Sequence, residues 1–451
     1  MASHTHPARG MRDFLPDDVR RRRFVIDAIR DVYERYGFDP LETPALENVE
    51  TLTGKYGEEG NQLIFKVLRR GEHAASGETD LALRYDLTVP LARVVADHRG
   101  TLPRVFKRYQ IQPVWRADRP ARGRFREFYQ CDVDVIGSRS MLVEAELCGA
   151  ATDVLAALGF SGFRLRLNHR AVLNGILETA GVPAAQHGDA LVALDKLDKI
   201  GREGVGRELA DRGIETAAAE RFLQLMAVPG GSAARLDEIA AALTGHPAGS
   251  TGLLELREVL ALSRATAAGP HLEFDPSLAR GLSYYTGVIM EVAVADLAGS
   301  LGGGGRYDGL IGMFAGEQIP AAGFSLGLER ILVVMTERQM FPPHVTTSAP
   351  DVVVTRFDEA SGEDSLRLAG ELRAEGLRVD VYPDPDKLSK QFKYAAARGA
   401  GRVAILGPDE RARGEVMIKN MESGEQHAVS RRELNLLKPN AQRPTPKPDA
   451  D

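Results

Sequence analysis

An arginine-rich stretch is the densest concentration of chemically active side chains in the sequence. Between residues 104 and 126, eight cations stand against one carboxylate, Asp118, giving a local net charge of +7. The planar guanidinium group binds phosphate oxygens in a bidentate manner, so the pattern indicates a site for a polyphosphate or for one end of a nucleic acid. A hairpin whose charges only keep its surface solvated is the alternative. The cations are Arg104, Lys107, Arg108, Arg116, Arg119, Arg122, Arg124 and Arg126.

A second basic cluster follows near the C-terminal end. Between residues 387 and 413, seven cations face Asp409 and Glu410, a net charge of +5 on a chain whose total charge is −6. Two separated positive clusters favour a long polyanion that is contacted at two places. Phe392 and Tyr394 lie among these cations. They could stack on bases, but packing in a hydrophobic core is the preferred interpretation. The cations are Lys387, Lys390, Lys393, Arg398, Arg402, Arg411 and Arg413.

Glycine-rich segments offer a different kind of site. The run GGGGRYDGL at 302–310 permits close approach of a ligand to the backbone, because glycine carries no side chain. It is neither a P-loop nor a dinucleotide fingerprint, since GK[ST] and GxGxxG are missing from it. Gly323 and Gly327 in AAGFSLGLER leave similar room beside Glu329 and Arg330, or they mark the start of a tightly packed helix.

The elements that carry these segments can be predicted from periodicity. A helix is predicted over 17–36, because its apolar residues have helical spacing: Val19, Phe24, Ile26, Ile29, Val32 and Tyr33. RVFKRYQIQPVW and REFYQCDVDVIG are typical of two strands, joined by the basic loop RADRPARGR. Alanine-rich stretches over 169–262 predict an inserted helical module. After residue 350 strands alternate with helices, which predicts a small α/β domain.

Composition narrows the class of protein. With 451 residues, 43% hydrophobic and 27% charged, the chain is typical of a globular protein of several domains and not of a histone-like binder. No segment has the apolar core of a signal peptide or the roughly 18 apolar residues of a membrane span, so neither secretion nor membrane insertion is expected. Cys131 and Cys148 are too few for a disulfide framework, which favours a cytoplasmic location. The histidines lack metal-ligand spacing, so no metal site built from protein ligands alone is expected.

Several segments together resemble the class II aminoacyl-tRNA synthetases and, within that class, the histidyl-tRNA synthetase family. VWRADRPARGRFREFYQCDVDVIG resembles motif 2 and AAGFSLGLERI resembles motif 3, the two motifs that mark the class. LRYDLTVP at 83–90, LARGLSYYTG at 278–287 and GGGGRYDGL resemble signatures of the family, and LARGLSYYTG is the most diagnostic of them. Pro44 matches the motif 1 proline, and the resemblance covers nearly the whole chain.

The resemblance implies an α+β fold: an antiparallel sheet flanked by helices, with a helical insertion and a C-terminal α/β anticodon-binding domain. It implies a homodimer that ligates L-histidine to tRNA(His) through a histidyl-adenylate, releasing AMP and pyrophosphate. ATP is then a substrate, and Mg²⁺ is bound with it. The expected domains are 1–168 and 263–345 for the two parts of the catalytic domain, 169–262 for the insertion, 346–438 for the anticodon-binding domain and 439–451 for a disordered tail.

The resemblance also assigns roles to individual residues. Arg116, on the α-phosphate of ATP, and Arg280, beside the histidine carboxylate and the α-phosphate, are the expected catalytic residues. The loop 117–123 is expected to contact the acceptor end of tRNA. The residues expected to bind ATP are Arg116, Asp118, Arg124, Phe128 and Arg330. By the resemblance, Arg330 meets the γ-phosphate, Arg124 meets the pyrophosphate end and Phe128 stacks on adenine. Those expected to bind histidine are Asp86, Thr88, Gln130, Asp134, Arg280, Tyr284 and Tyr285. Among them, Asp86, Thr88 and Gln130 match the positions that hold the α-amino group, and Asp134 and Tyr285 match those that face the imidazole.

Two positions depart from the usual family pattern, and two other functions compete. Ser283 stands where the motif usually has Asp, and Asp118 stands where many members have Glu. The first competing function is a synthetase-like, histidine-binding regulatory subunit of ATP phosphoribosyltransferase. Such relatives generally lack the anticodon-binding domain and have a degraded LARGLSYYTG. The second, an RNA-binding protein without catalysis, leaves the set of carboxylates and tyrosines unexplained.

Overall fold

The computed structural model of the chain describes residues 5–71, 76–280, 284–295, 299–346 and 349–437. Ser283 and the expected tail 439–451 lie outside these residues. Residue contacts divide the chain into two units, Met1–Met340 and Phe341–Asp451, and each unit has its own sheet structure.

The first unit mixes short strands with helices. Its strands are β1 (Asp39–Pro40), β2 (Leu46–Asn48), β3 (Lys66–Leu68), β4 (Thr79–Leu83), β5 (Phe106–Trp115), β6 (Glu127–Ile136), β7 (Arg164–His169), β8 (Leu272–Phe274), β9 (Val288–Ala293), β10 (Ser300–Arg306) and β11 (Ala321–Gly327). Its helices are α1 (Pro16–Arg35), α2 (Val49–Leu52), α3 (Gly57–Gln62), α4 (Thr88–Asp97), α5 (Leu142–Ala157), α6 (Arg170–Ala180), α7 (His187–Leu194), α8 (Leu197–Asp211), α9 (Thr216–Met226), α10 (Ser232–Ala242), α11 (Pro247–Ser263), α12 (Gly312–Ala315) and α13 (Leu328–Glu337).

An eight-stranded sheet forms the centre of this unit, in the order β1-β5-β6-β11-β10-β9-β7-β8. The inner pairs are antiparallel, whereas β1 pairs with β5, and β7 with β8, in parallel. A smaller antiparallel sheet has the order β2-β4-β3. The predicted antiparallel sheet flanked by helices is thus confirmed.

Helix α1 shows why the sequence forms a helix at this place. Pro16 stands in its first turn, where a missing N–H costs no hydrogen bond, and Gly37, with a φ of 74°, follows its end. The buried face has a spacing of three or four residues. Val25 lies at the centre of that face, whereas Phe24 and Ile26, which the periodicity predicts there, lie at its flanks and are half-buried. The buried residues are Arg22, Val25, Ile29, Val32 and Tyr33.

Helix α13 joins the sheet to α1 through Glu329. This carboxylate is buried; it accepts a hydrogen bond from Arg22 on α1 at 2.8 Å and one from the backbone N–H of Tyr129 on β6 at 2.9 Å. A buried carboxylate needs such partners, because desolvation of the unpaired charge is costly. Glu329 therefore holds three elements together.

Helices α6 to α11 occupy the stretch where the sequence predicts an alanine-rich helical module. Their buried faces supply an apolar core of their own, which includes Leu191, Phe222 and Leu256. The turn between α7 and α8 and the first turn of α8 line a cavity of this unit, through Asp195 and Asp198 respectively.

The second unit has the predicted alternation of strands and helices. Its five-stranded sheet has the order β13-β12-β14-β15-β16, and the first three of these strands are parallel. Val352, Leu368 and Leu372 belong to its core. The strands are β12 (Val352–Val354), β13 (Val379–Val381), β14 (Arg402–Ile405), β15 (Glu415–Asn420) and β16 (Gln426–Ser430); the helices are α14 (Pro343–Thr346), α15 (Gly362–Ala374), α16 (Leu388–Ala397) and α17 (Pro408–Arg413).

Among the described residues, no helix has both the length and the apolar character that crossing a bilayer requires.

Candidate active site

A cavity of about 890 Å³ opens over one face of the eight-stranded sheet. Side chains reach it from β6, from the basic loop between β5 and β6, from the segment that ends at Arg280, and from α13. A cavity of this size accommodates a small ligand or cofactor. The predicted site residues on its wall are Thr88, Arg116, Asp118, Arg124, Phe128, Gln130, Asp134, Arg280, Tyr284, Tyr285 and Arg330.

The strand register arranges the residues of the sheet in and beside the cavity in two rows. In the first, the Asp132 row, Gln110, Asp132, Ser325, Gly303 and Glu291 are opposite one another on β5, β6, β11, β10 and β9. In the second, the Asp134 row, the residues in the same strands are Arg108, Asp134, Gly323, Gly305 and Ile289. Because side chains alternate along a strand, both rows face the same side of the sheet.

The glycines of these rows make room for other site residues. A Cβ atom at Gly303 would lie 2.1 Å from Nη1 of Arg280, and one at Gly305 would lie 2.9 Å from the ring of Tyr285. A Cβ at Gly323 would lie 1.8 Å from Oδ1 of Asp134. The glycine run is therefore a strand, β10, whose missing side chains leave space for the protein's own arginine and tyrosine.

Four guanidinium groups approach one another at one end of the cavity: Arg116, Arg124, Arg280 and Arg330. Burial, and then repulsion by Arg124 and Arg280, lowers the pKa of the Arg330 guanidinium. Holding like charges together in a partly buried place is unfavourable unless an anion joins them. This end of the cavity therefore fits a ligand with several negative charges, such as a polyphosphate.

Each of these arginines has a protein contact that orients it. Arg124 makes a two-pronged ion pair with Asp118, at 3.0 and 2.8 Å. Arg330 donates to the carbonyl oxygen of Ser300 at 2.5 Å. Nη1 of Arg280 lies 3.2 Å from a carboxylate oxygen of Glu291.

Arg116 is held between two aromatic rings. Its Nε donates to the carbonyl oxygen of Tyr85 at 3.0 Å, and its guanidinium lies 4.3 Å from the centre of the Tyr85 ring and 5.1 Å from that of Phe128. Cation–π contacts of this kind fix the direction of the positive charge. Phe128 itself lies on the wall and offers a flat apolar surface to a ligand.

The basic segment 104–126 does not act as one surface. Arg116, Arg122 and Arg124 line the cavity. Arg108, in contrast, is fully buried and forms an ion pair with Asp134 at 2.9 Å. The neighbouring Lys107 is also unavailable to a ligand in the cavity, because it pairs with a carboxylate on α5. The charge count therefore overstated the number of cations available to one anion.

Buried carboxylates characterise the opposite end of the cavity. Asp134 accepts a hydrogen bond from the Tyr307 hydroxyl at 2.5 Å and pairs with Arg108. Burial raises the pKa of Asp134, and Arg108 opposes that shift. Its neighbour along the strand, Asp132, is equally buried, and desolvation raises the pKa of Asp132 to about 7.

Asp86 is the one predicted site residue that the structure does not place on the cavity wall. It is buried behind two tyrosines, accepting hydrogen bonds from the hydroxyl of Tyr56 at 2.9 Å and from that of Tyr284 at 3.4 Å. The backbone N–H of Val89, at the start of α4, donates to it at 3.0 Å. Thr88 does reach the wall, and it hydrogen-bonds to Tyr284.

Several residues on the wall had no role in the sequence-based prediction: Asp132, Glu291, Tyr307, Tyr56 and Arg166. Two signals pointed to some of them. The alternation Gln130, Asp132, Asp134 on a strand puts Asp132 on the same face as its two predicted neighbours. Tyr307 belongs to the GGGGRYDGL signature. Glu291 on β9 and Arg166 on β7 reach the site only because the chain folds these strands next to it, and no local sequence pattern predicts that contact.

The second basic cluster lies on the second unit, where many of its cations have acidic neighbours. Lys390 pairs with Asp386 at 2.7 Å, and Arg413 pairs with Glu415 at 3.0 Å. Phe392 and Tyr394 pack against the apolar cluster around Val353, Ala395 and Val403. The preferred role of these two rings, packing in a core, is thus confirmed.

No group of three or more His, Cys, Asp or Glu side chains suited to a metal ion occurs in the described part of the chain.

Comparisons with known proteins agree with this architecture. Residues 10–331 match the family Histidyl-tRNA synthetase, and residues 351–435 match the family Anticodon binding domain. The histidine–tRNA ligase of Porphyromonas gingivalis is 44% identical over 438 residues, covering 93% of this chain and 96% of that protein. That of Gloeobacter violaceus is 42% identical over 446 residues, covering 93% and 95%.

A solved structure is similar along nearly the whole chain. The crystal structure of histidyl-tRNA synthetase from Nostoc sp. PCC 7120 has a TM-score of 0.77 and 31% identity, and the match covers 97% of this chain and 99% of that one. The family match spans more than half of the chain, and relatives above 40% identity are matched almost from end to end. The chain therefore belongs to the histidyl-tRNA synthetase family.

Proposed function

We propose that this protein ligates L-histidine to tRNA(His) in two steps, adenylate formation and transfer, with release of pyrophosphate and then AMP. One observation carries the proposal: a single cavity has four converging guanidinium groups at one end and buried carboxylates with tyrosines at the other. The first end suits ATP and the second suits a small polar amino acid. Membership in the histidyl-tRNA synthetase family, with full-length relatives that are histidine–tRNA ligases, supports the same activity.

At the ATP end, Arg116 holds the α-phosphate and Arg330 the γ-phosphate. Their fixed contacts support this, because Arg116 is clamped by Tyr85 and Phe128 and Arg330 by the Ser300 carbonyl. Phe128 stacks on adenine. Arg124 meets the pyrophosphate part, and its pairing with Asp118 keeps the side chain in place until ATP arrives.

Mg²⁺ enters with ATP in this proposal, since the described residues contain no ready-made metal cluster. Mg²⁺ in nucleotide sites takes most of its ligands from phosphate and water, with one or two carboxylates. Glu291 and Asp118 are carboxylates on the cavity wall and fit that requirement. The ion would supply positive charge against the phosphates.

At the amino acid end, Asp134 and Tyr285 face the imidazole, while Gln130 and Thr88 face the α-amino group. Asp86 assists from behind the wall, because it fixes the hydroxyl of Tyr284, which in turn contacts Thr88. Rings without nitrogen leave the buried polar groups unpaired, and such a mismatch excludes analogues strongly.

Arg280 stands where the two ends meet. In the first step a carboxylate oxygen of histidine attacks the α-phosphorus and the bond to pyrophosphate breaks. A permanent cation between the two anions cancels their repulsion and stabilises the charge that develops at phosphorus. We expect Arg280→Ala and Arg280→Lys to lower kcat for adenylate formation, with a loss on the order of 3 kcal/mol for one preorganised donor group. Transfer from preformed adenylate suffers less. Single-turnover kinetics separate the two steps, and equal loss in both contradicts this role.

The second unit is proposed to bind the anticodon, as its family match over residues 351–435 supports. The loop 117–123 contacts the acceptor end of tRNA, where a terminal ribose hydroxyl attacks the adenylate and AMP leaves. The domain limits proposed from sequence are kept: 1–168 with 263–345, 169–262, and 346–438. A regulatory subunit of ATP phosphoribosyltransferase is not favoured, because an anticodon-binding match accompanies the synthetase match.

A homodimer is supported by one apolar sheet face. In the β2-β4-β3 sheet, Leu46 is opposite Leu83, and Val67 is opposite Leu81, so all four side chains share a face. Leu46 and Val67 are exposed in the single chain. An apolar face of this kind is typical of a surface that a partner covers. Sedimentation at micromolar concentration tests the dimer.

We propose a cytoplasmic location, and the state of both cysteines supports it. Cys131 and Cys148 are free and buried, as in proteins of a reducing compartment.

Histidine-dependent exchange between ATP and pyrophosphate tests the activity. The proposed enzyme exchanges label only when histidine is present, and it then charges tRNA(His) in a filter assay. A protein that binds histidine without exchange, as a regulatory subunit does, contradicts the proposal.

A further inference from the structure

Asp132 is a buried carboxylate on the cavity wall for which neither the sequence signatures nor the family roles supply a function. It is 2% exposed and lies between Gln130 and Asp134 on the same face of β6. The Ser325 hydroxyl hydrogen-bonds to it from the neighbouring strand. Its Oδ1 is buried and has no hydrogen-bond partner among the described residues.

The neighbouring carboxylates are better satisfied. Oδ1 of Asp134 has the Tyr307 hydroxyl, and its Oδ2, which also lacks a hydrogen bond, lies 2.9 Å from Nη2 of Arg108 in an ion pair. Asp86 has two tyrosine hydroxyls and a backbone N–H. Asp86 also lies behind the wall and not on it. An unpaired buried carboxylate oxygen is unfavourable, so Asp132, whose Oδ1 has no hydrogen-bond partner among the described residues, is stabilised by a cationic ligand.

A second acceptor accompanies it. Nε2 of Gln130 donates to Oγ of Ser325 at 3.2 Å, and Oε1 of Gln130 is buried with no hydrogen-bond partner in the described chain. Ser325 has one hydroxyl hydrogen, which Asp132 receives. Two adjacent acceptors, one of them charged, suit an ammonium group, which has three N–H donors and no acceptor. A neutral imidazole has only one N–H to give.

The two rows of the sheet distinguish the two ends of an amino acid. Arg280 packs over Gly303 in the Asp132 row, whereas Tyr285 packs over Gly305 in the Asp134 row. If Arg280 meets the substrate's carboxylate, the charged end of the amino acid lies along the Asp132 row. The side chain then extends toward the Asp134 row, where Tyr285 lies. Asp132 is thus a neighbour of the α-amino group and not of the ring.

We propose that Asp132 accepts a hydrogen bond from the α-ammonium group of the amino acid substrate and, with Arg280, positions its charged end in the cavity. The inference rests on the proposed function, because it takes histidine as the substrate. It makes Asp132 a determinant of specificity for a free α-ammonium group.

The test compares ligands that differ only at the charged end. Dissociation constants are measured by calorimetry for L-histidine, for L-histidinol, which keeps the ammonium group, and for 3-(imidazol-4-yl)propionate, which lacks it. We expect Asp132→Asn to weaken histidine and histidinol roughly 10- to 100-fold, the range for a hydrogen bond to a charged group. The propionate is expected to change less than about 2-fold.

Asp153→Asn is the matched control. Asp153 lies on α5, where it accepts a hydrogen bond from the Tyr36 hydroxyl at 2.7 Å, outside the cavity. The same change of charge there is expected to leave all three constants as in the wild type. If Asp132→Asn fails to fold, Ser325→Ala provides the second variant: it loses the hydroxyl that orients Asp132 and should weaken histidine about 3-fold without affecting the propionate.

Two results overturn the inference. Equal weakening of all three ligands by Asp132→Asn means that Asp132 contacts the ring, and unchanged binding of all three means that it contacts no part of the substrate. Failure of the proposed function is recognised separately, because wild-type protein then shows no histidine-dependent exchange of pyrophosphate.

Discussion

Replacing Gly303 by alanine tests whether the glycine strand exists to make room for Arg280. The added Cβ would lie 2.1 Å from Nη1 of Arg280 and 2.7 Å from the carbonyl oxygen of Met290, where ordinary contact needs at least 3.4 Å. Because the Met290 oxygen is a backbone atom of the adjacent strand, it moves less easily than the Arg280 side chain, and we expect the arginine to be displaced. It must move by about 1 Å, and a displacement of that size at a reacting centre costs on the order of 100-fold in rate. Overpacking of the strand adds about 1 to 3 kcal/mol of destabilisation.

The assay is steady-state exchange of ATP and pyrophosphate, with thermal unfolding measured in parallel. Gly309→Ala is the control, because Gly309 belongs to the same GGGGRYDGL segment and a Cβ there meets nothing within 4 Å. We expect kcat/KM for histidine to fall about 100-fold in Gly303→Ala and to stay unchanged in Gly309→Ala. A folded Gly303→Ala enzyme with wild-type kcat and KM would refute the reasoning.

Three further outcomes are expected. Asp134→Ala raises KM for histidine more than KM for ATP in the exchange assay. It also lowers the free energy of unfolding by about 3 to 5 kcal/mol, because Arg108 loses its buried partner. Equal histidine KM in variant and wild type contradicts the contact with imidazole. Burial raises the pKa of Asp132 from its ordinary value of 3.8 to about 7 in the folded protein. Because the folded state holds this proton more tightly than the unfolded state, the fold loses stability as pH rises between those two values. Denaturation of Asp132→Asn by urea should therefore show a gain of about 2 to 4 kcal/mol at pH 8 and a smaller gain at pH 5, and equal gains at both pH values argue against a buried carboxylate. Affinity for tRNA falls steeply between roughly 50 and 200 mM salt while histidine affinity barely changes, because contacts with a polyanion release counterions. Filter binding measures the tRNA affinity, and an affinity that does not change with salt contradicts two basic contact surfaces.

The sequence by itself determined the type of fold and the residue types of the site. Helix α1, strands β5 and β6 and the alternating elements of the second unit have local patterns, in which each residue's environment depends on neighbours three, four or two positions away. The signatures around Arg116, Arg280 and Arg330 likewise identify the family from contiguous residues.

Only the tertiary structure decided which of these residues share a space. Charge counting treats Arg108 and Arg116 alike, yet the first is buried against Asp134 and the second lines the cavity. The difference arises because Arg108 lies within β5, where pairing with β6 places it opposite Asp134, whereas Arg116 follows the end of β5, in the loop that lines the cavity.

Contacts between distant segments also explain the positions of Asp86, Asp132 and Gly303. Asp86 is in a signature segment but lies behind Tyr56 and Tyr284, while Asp132 reaches the wall because β11 pairs with β6 in one particular register. The need for glycine at position 303 depends on Arg280, which arrives from another segment of the chain. Contacts between residues far apart in sequence are set by the register between strands, and no local pattern encodes that register.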